Sequence, residues 1–217
     1  MGEKAIIITG NRKGIGRFLS EHYLALGYLV IGCSRAESDL SHPNYLHYAC
    51  DVGKEKEVIS FFINLKKKGI SPEILINNAG AASMNHLLTT PEKSFDLLVN
   101  TNFKGTFLFI REFSKKAIKT GGSIINFSTV ASPIKLEGEA IYASTKSAIE
   151  KITDISSKEL APFGIRVNCI GPTPIQTDLI KTVPEEKINE LLRYQAIKRL
   201  GKFEDVLNVI DFLISPK

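Results

Sequence analysis

A tyrosine and a lysine four residues apart, Tyr142 and Lys146 in Tyr-Ala-Ser-Thr-Lys, are the pair in this chain best suited to acid–base chemistry. On a helix that spacing puts a phenol and an ammonium on one face, within reach of each other. A free phenol titrates at about 10, and a nearby ammonium favours the phenolate. Lys146 is therefore expected to bring Tyr142 closer to useful proton transfer near neutral pH. Well upstream lies a glycine-rich turn with Gly10, Gly14 and Gly16. Together the two features point to ketone or alcohol chemistry on a nicotinamide.

The turn reads Thr9-Gly10-Asn11-Arg12-Lys13-Gly14-Ile15-Gly16 and sits between a short apolar run and a helical pattern. That is the context a dinucleotide turn requires. Glycines let the backbone approach a pyrophosphate, and the helix start supplies free N–H donors and positive dipole. After the second apolar run, where NAD-selective folds tend to place an acid, the chain reads Cys33-Ser34-Arg35. Arg35, helped by Lys13 or Arg12, matches the geometry of a 2′-phosphate. The expectation is NADP(H), with NAD(H) as the alternative; each cation taken singly also reads as an ordinary surface charge.

These residues need a scaffold, and the apolar pattern supplies one. Strands are expected at residues 4–9, 28–33, 45–50, 73–77, 123–128 and 166–170, with helices near 14–26, 54–68, 91–119, 140–160 and 204–214. Such alternation predicts an α/β, Rossmann-type, doubly wound parallel sheet in three layers, because parallel crossovers place helices on both faces. All 217 residues are expected to form a single domain.

The bulk numbers narrow the function. The hydrophobic content of 43% is that of an ordinary soluble domain. No apolar run approaches the roughly 20 residues that span a bilayer, and Lys4 leads straight into Ala5-Ile6-Ile7-Ile8 without a cleavable signal. A cytoplasmic protein with no membrane partner is expected. Cys33, Cys50 and Cys169 contain no CxxC pair and read as reduced thiols at strand ends. His22, His42, His47 and His86 show no ligand spacing, so no metal site is expected, although His86 lies in a loop that could touch substrate. The net charge of +5 is spread over helix faces such as Lys66-Lys67-Lys68 and Lys115-Lys116, without the aromatic-basic platform of a nucleic-acid binder.

Four further segments complete a resemblance: Asp51-Val52, Asn77-Asn78-Ala79-Gly80, Asn102-Phe103-Lys104-Gly105 and the Tyr142–Lys146 pair itself. With the glycine turn, they make the chain similar to single-domain members of the short-chain dehydrogenase/reductase family, from residue 4 to about 214. The resemblance implies that Tyr142 donates a proton to the carbonyl oxygen during reduction and removes it during oxidation. Lys146 would hold the nicotinamide ribose and tune the phenol, and Asn102 would anchor a water leading to a proton relay. It also implies that Asp51 and Val52 contact adenine, and that the segment after the sixth strand, with Pro172, Ile175 and Thr177, holds the carboxamide. Asp51 and the 77–80 segment also read as plain strand-end turns.

Three departures from the family pattern stand out. The catalytic serine thirteen residues before the tyrosine is replaced by Thr129, which keeps a hydroxyl but adds a methyl; Ser128 is the reserve candidate. The usual Pro-Gly after the sixth strand is Pro172-Thr173, followed by a second proline at 174. Relatives continue past the last helix into another strand, whereas here only Ser215-Pro216-Lys217 follow, so either the sequence is shortened or the C-terminal edge strand is expected to be missing.

Within the family the chain most resembles 3-oxoacyl-acyl-carrier-protein reductases, through Arg199-Leu200-Gly201-Lys202-Phe203-Glu204-Asp205, with Lys181 as a basic residue for the acyl carrier. Residues 175–200, rich in Leu179, Ile180, Val183, Ile188, Leu191, Leu192 and Tyr194, read as a substrate lid or as plain helix packing. The resemblance implies a homotetramer or homodimer through the helices at 91–119 and 140–160. The expected function is NADP(H)-dependent interconversion of a carbonyl and a secondary alcohol, with a 3-oxoacyl thioester as one substrate. Sugar, steroid and polyketide carbonyls share every motif. A non-catalytic NADP-binding sensor or scaffold is the rival from another class.

Overall fold

The structure, a computed structural model, describes residues 4–178, 180 and 183–215. Six strands form one parallel sheet in the order β3-β2-β1-β4-β5-β6. They are β1 (Ala5–Thr9), β2 (Leu29–Ser34), β3 (Tyr45–Ala49), β4 (Ile74–Asn77), β5 (Gly122–Phe127) and β6 (Ile165–Ile170). Strand order reverses between β1 and β4, and in open α/β sheets a crevice opens there at the carboxyl ends.

Alternation along the strands builds two cores. Ile7, Ile31, Leu75 and Ile124 face Phe61, Phe62, Phe109 and Phe113, which come from α2 (Glu55–Lys67) and α4 (Gly105–Ala117). Ile6, Ile8, Val30, Ile76 and Ile125 face Leu19, Tyr23, Val206 and Ile210, from α1 (Gly14–Ala25) and α8 (Phe203–Ile214). β1 is buried on both faces, which is why Ala-Ile-Ile-Ile-Thr reads as a continuous apolar run rather than an alternating one. Each such isoleucine or phenylalanine contributes about 1.5–3 kcal/mol by leaving water.

The segment expected as one helix over 91–119 is interrupted. α3 (Glu92–Leu98) runs into a π-helical turn, Val99–Lys104, before α4 begins. π turns are rare and concentrate at functional sites, and this one carries Asn102. At its end Gly105 packs against Val52: a Cβ there would sit 2.7 Å from the valine Cγ2. A short helix, α5 (Ala131–Ile134), precedes the long α6 (Ala140–Leu160), and α7 (Glu185–Tyr194) occupies the segment read as a lid.

β6 forms one sheet edge, and no seventh strand joins it among the described residues. Arg166 on β6 donates to the carbonyls of Leu213 and Ser215, tying α8 to that edge. Leu179, expected in the lid, and Lys181, expected as the carrier contact, lie outside the described residues.

Candidate active site

The cleft over the carboxyl ends of the strands has a volume of about 700 Å³ and runs from the glycine turn to Tyr142. Gly10 and Gly14 take φ of 67° and 58°, the left-handed region that favours glycine. A Cβ on Gly10 would fall 2.7 Å from the Cα of Ala79, so the turn can lie against the end of β4 only without a side chain. Asn78 locks that contact by donating to the carbonyls of Thr9 (2.9 Å) and Gly10 (3.1 Å), while the Ala79 N–H donates to the Thr9 hydroxyl at 2.9 Å. Ala79 and Gly80 line the cleft beside it.

Asn11 and Gly16 of the turn do not line the cleft. The Asn11 side chain points away, fully buried, and donates to the Tyr45 hydroxyl at 2.6 Å. It fills the space above Gly32, where a Cβ would come within 1.9 Å of its amide nitrogen. Gly16 lies behind the turn and lets the Asn78 amide approach; an added Cβ would be 2.5 Å from that nitrogen. The Asn11 side chain and the bare Gly16 thus shape the turn from below.

Arg12, Lys13, Gly14, Ile15, Ser34, Arg35, Asp51 and Val52 line the half of the cleft over β1, β2 and β3. Not all are free for a ligand. The Ser34 hydroxyl donates to the Ala36 carbonyl at 2.6 Å and contacts His47 Nε2 at 3.0 Å. Lys13 forms a 2.8 Å ion pair across the cleft with Asp178. Asp51 accepts the Gly53 N–H at 3.0 Å, the turn role that was the plainer reading of this acid. A dinucleotide fits this surface: a turn left bare at Gly10 and Gly14, a helix start and exposed guanidinium groups are complementary to phosphates.

In the other half, Tyr142 and Lys146 project from α6 into the cleft beside Thr129. Burial pushes the Tyr142 phenol up to about 12; the Thr129 hydroxyl hydrogen-bonds to it and pulls it partly back, and the Glu139 carboxylate adds to the rise. Burial likewise pushes Lys146 down to about 8. The expected lowering of the phenol by Lys146 is therefore corrected. The ammonium is spent on the Phe127 carbonyl at 2.8 Å, and desolvation outweighs any help it gives the phenolate. A phenol held protonated is the form a general acid needs at neutral pH.

Asn102 is fully buried and does not line the cleft. The π turn aims its amide at the strand-end loop, where Oδ1 accepts the Ala81 N–H at 2.8 Å and Nδ2 donates to the Ala81 carbonyl (3.0 Å) and the Thr145 hydroxyl (3.1 Å). A Cβ on Gly80 would sit 3.6 Å from Asn102 Oδ1 and 3.7 Å from Lys146 Nζ, so the two groups approach the same small space. Ser128 points elsewhere, donating to the Glu150 carboxylate. Thr129 is thus the hydroxyl beside the phenol.

Pro172, Ile175 and Thr177 form the wall after β6. The missing glycine at 173 is accommodated because the Thr173 hydroxyl pairs with Gln195 and Gly201 supplies the close approach instead, donating its N–H to Pro174 O at 2.9 Å. Arg199 makes two bonds to Asp205, at 2.7 and 3.0 Å, and fixes that corner. The 199–205 motif is thereby explained by packing of the wall. From α7 and the loop before it, Ile180, Val183, Ile188 and Leu191 face the cleft, whereas Tyr194 is exposed.

A family model described as enoyl-(acyl carrier protein) reductase, of the short-chain dehydrogenase/reductase type, matches residues 9–217. The chain belongs to the short-chain dehydrogenase/reductase family. Among curated relatives, this family member is 28% identical to the 3-oxoacyl-(acyl-carrier-protein) reductase FabG of Staphylococcus epidermidis, over 99% of this chain and 92% of the relative. It is 31% identical to carbonyl reductase (NADPH) 2 of Sus scrofa, over 97% of this chain and 88% of the relative. A solved structure of 4-hydroxyisoleucine dehydrogenase complexed with NADH superposes with a TM-score of 0.89 at 25% identity, covering 99% of this chain and 91% of the other. The protein is an oxidoreductase of the carbonyl and alcohol type that uses a nicotinamide dinucleotide.

Glu139 is one cleft residue, like Ala81, Val130 and Asp178, to which the sequence motifs assign no role. Its position, three residues before Tyr142, was the available signal. Thr145, which holds the Asn102 amide, was likewise visible only as the residue before Lys146.

Proposed function

We propose that this protein reduces a ketone to a secondary alcohol, reversibly, with NADP(H) and with Tyr142 as the acid and base. The observation that carries this reading is the meeting of the Tyr142 phenol, the Thr129 hydroxyl and the buried Lys146 in the cleft that begins at the glycine turn. When bound there, the reduced nicotinamide supplies hydride to the carbonyl carbon. Tyr142 gives its proton to the carbonyl oxygen as negative charge develops, and Thr129 orients that oxygen by a second hydrogen bond. Lys146 stands ready to hold the ribose, and Asn102 fixes the Ala81 loop beside it.

Preference for NADP(H) is supported by Arg12 and Arg35 at the nucleotide end, where guanidinium groups suit a 2′-phosphate. The Lys13–Asp178 pair gives Lys13 a smaller part in it. A 3-oxoacyl thioester is supported by the likeness to FabG, while the porcine relative's name describes a general carbonyl reductase. Ile180, Val183, Ile188 and Leu191 act as an apolar lid over the substrate. Assembly into a homodimer or homotetramer is supported by exposed Phe107 on α4 and Ile155 on α6. The test is NADPH oxidation with a panel of ketones and its dependence on Tyr142. Binding of NADPH without Tyr142-dependent turnover would instead favour a sensor or scaffold.

A further inference from the structure

One charged group in the cleft has no part in the chemistry above. Glu139 is the N-cap residue of α6, yet its side chain makes no capping hydrogen bond. It is delivered by a fixed turn: Gly138 has φ of 83° and its carbonyl accepts the Asn85 N–H at 2.8 Å. Its carboxylate lines the cleft close enough to Tyr142 to act on the phenol electrostatically. Oε2 is buried and has no hydrogen-bond partner among the described residues.

Buried polar atoms in native proteins are almost always paired, and an unpaired carboxylate oxygen is among the costlier exceptions. Among the described residues that line the cleft, Val130, Ile180, Val183, Ile188 and Leu191 are apolar and offer that oxygen no side-chain donor. A donor brought by a ligand would satisfy the oxygen. Since Glu139 lies one helical turn from Tyr142, a substrate whose carbonyl meets the phenol would carry that donor within a few atoms of the carbonyl.

We propose that Glu139 is a specificity-determining residue that accepts a hydrogen bond from a hydroxyl or ammonium group beside the reacting carbonyl. Donor-bearing ketones are then preferred to plain ones. The proposal rests on Tyr142 being the group at the carbonyl. It places a simple 3-oxoacyl thioester, which carries no such donor next to its ketone, among the weaker substrates.

Tyr142→Phe removes the proton donor and allows binding to be read without turnover. Quenching of NADPH fluorescence in that variant is titrated with 1-hydroxyhexan-2-one, 1-aminohexan-2-one and heptan-3-one, which differ in a hydroxyl, an ammonium or a methyl at one position. At least one donor-bearing ketone should bind about tenfold or more tighter than heptan-3-one, the scale of a hydrogen bond to a charged acceptor. Adding Glu139→Met should abolish the difference; Glu139→Gln, which keeps a carbonyl acceptor, should retain most of it for the hydroxyl and lose it for the ammonium. Which ketone gains identifies the donor.

Equal binding of all three ketones, or a preference that survives Glu139→Met, overturns the proposal. A second measurement needs no ligand: Glu139→Met should raise the melting temperature of the free protein, because it removes an unpaired buried carboxylate. A fall would mark Glu139 as structural and would also overturn it. Undiminished ketone reduction by Tyr142→Phe, seen as loss of NADPH during the titration, would instead sink the reading of Tyr142 on which the proposal rests, an outcome distinct from equal binding.

Discussion

The ammonium nitrogen of Lys146 lies 5.9 Å from the centroid of the Tyr142 ring, while its hydrogen bond goes to the Phe127 carbonyl at 2.8 Å. The lysine is therefore held beside the phenol rather than bonded to its oxygen. Both groups are driven toward their neutral forms by burial, the phenol to about 12 and the ammonium to about 8. Such a site has a stability cost with a definite pH dependence.

Between about pH 8 and 10.5 the unfolded chain keeps its proton on Lys146 while the folded chain releases it. Stability gained from this residue therefore rises with pH across that window, and the full burden is carried below about 8. Lys146→Met should stabilise the free protein at pH 7 by on the order of 2–3 kcal/mol, while abolishing turnover. The advantage should shrink toward zero near pH 10.5. Urea unfolding of both proteins at pH 7 and pH 10 checks this; an advantage independent of pH contradicts it.

Thr129 is the hydroxyl that contacts the phenol. Thr129→Ser keeps the donor and removes only a methyl, so kcat should stay within a few-fold. Thr129→Val keeps the shape and removes the donor, and should lower kcat by about 10²–10³, the usual cost of one such hydrogen bond at a developing oxyanion. Steady-state kinetics of the two variants separate the roles. A benign valine would leave the serine's part unfilled.

Arg35 and Arg12 stand at the nucleotide end of the cleft. Arg35→Ala should weaken NADPH about 10–100-fold and leave NADH nearly unchanged, since only the former carries a 2′-phosphate for a charge-assisted bond. Titration of both nucleotides by fluorescence reads the ratio directly. Equal losses would mean that Arg35 supports the cleft without reading the phosphate.

Much of this was legible in the sequence because it depends on short-range pattern. The run Ala5-Ile6-Ile7-Ile8 made a fully buried central strand, and the glycines at 10 and 14 required a left-handed turn. What escaped depends on the direction of side chains. Asn11 reads like a turn residue facing a phosphate, yet Gly32 across the sheet leaves a hole that draws it inward. The π turn at Val99–Lys104 has no periodicity signal distinct from the helix around it. The four-residue spacing of Tyr142 and Lys146 showed that they share a face, but not that Phe127 would take the ammonium. Glu139 belongs to no motif, and only the fold brings its carboxylate to the cleft.

The most direct measurement is the initial rate of NADPH oxidation with a ketone panel that includes acetoacetyl thioester and hydroxyketones, for the native chain and Tyr142→Phe. The expected result is turnover of at least one ketone that falls about 10²–10⁴-fold in the variant, with NADPH affinity unchanged. Tight NADPH binding with no ketone reduced, or reduction that survives Tyr142→Phe, would contradict the assignment of this site as a carbonyl reductase centre.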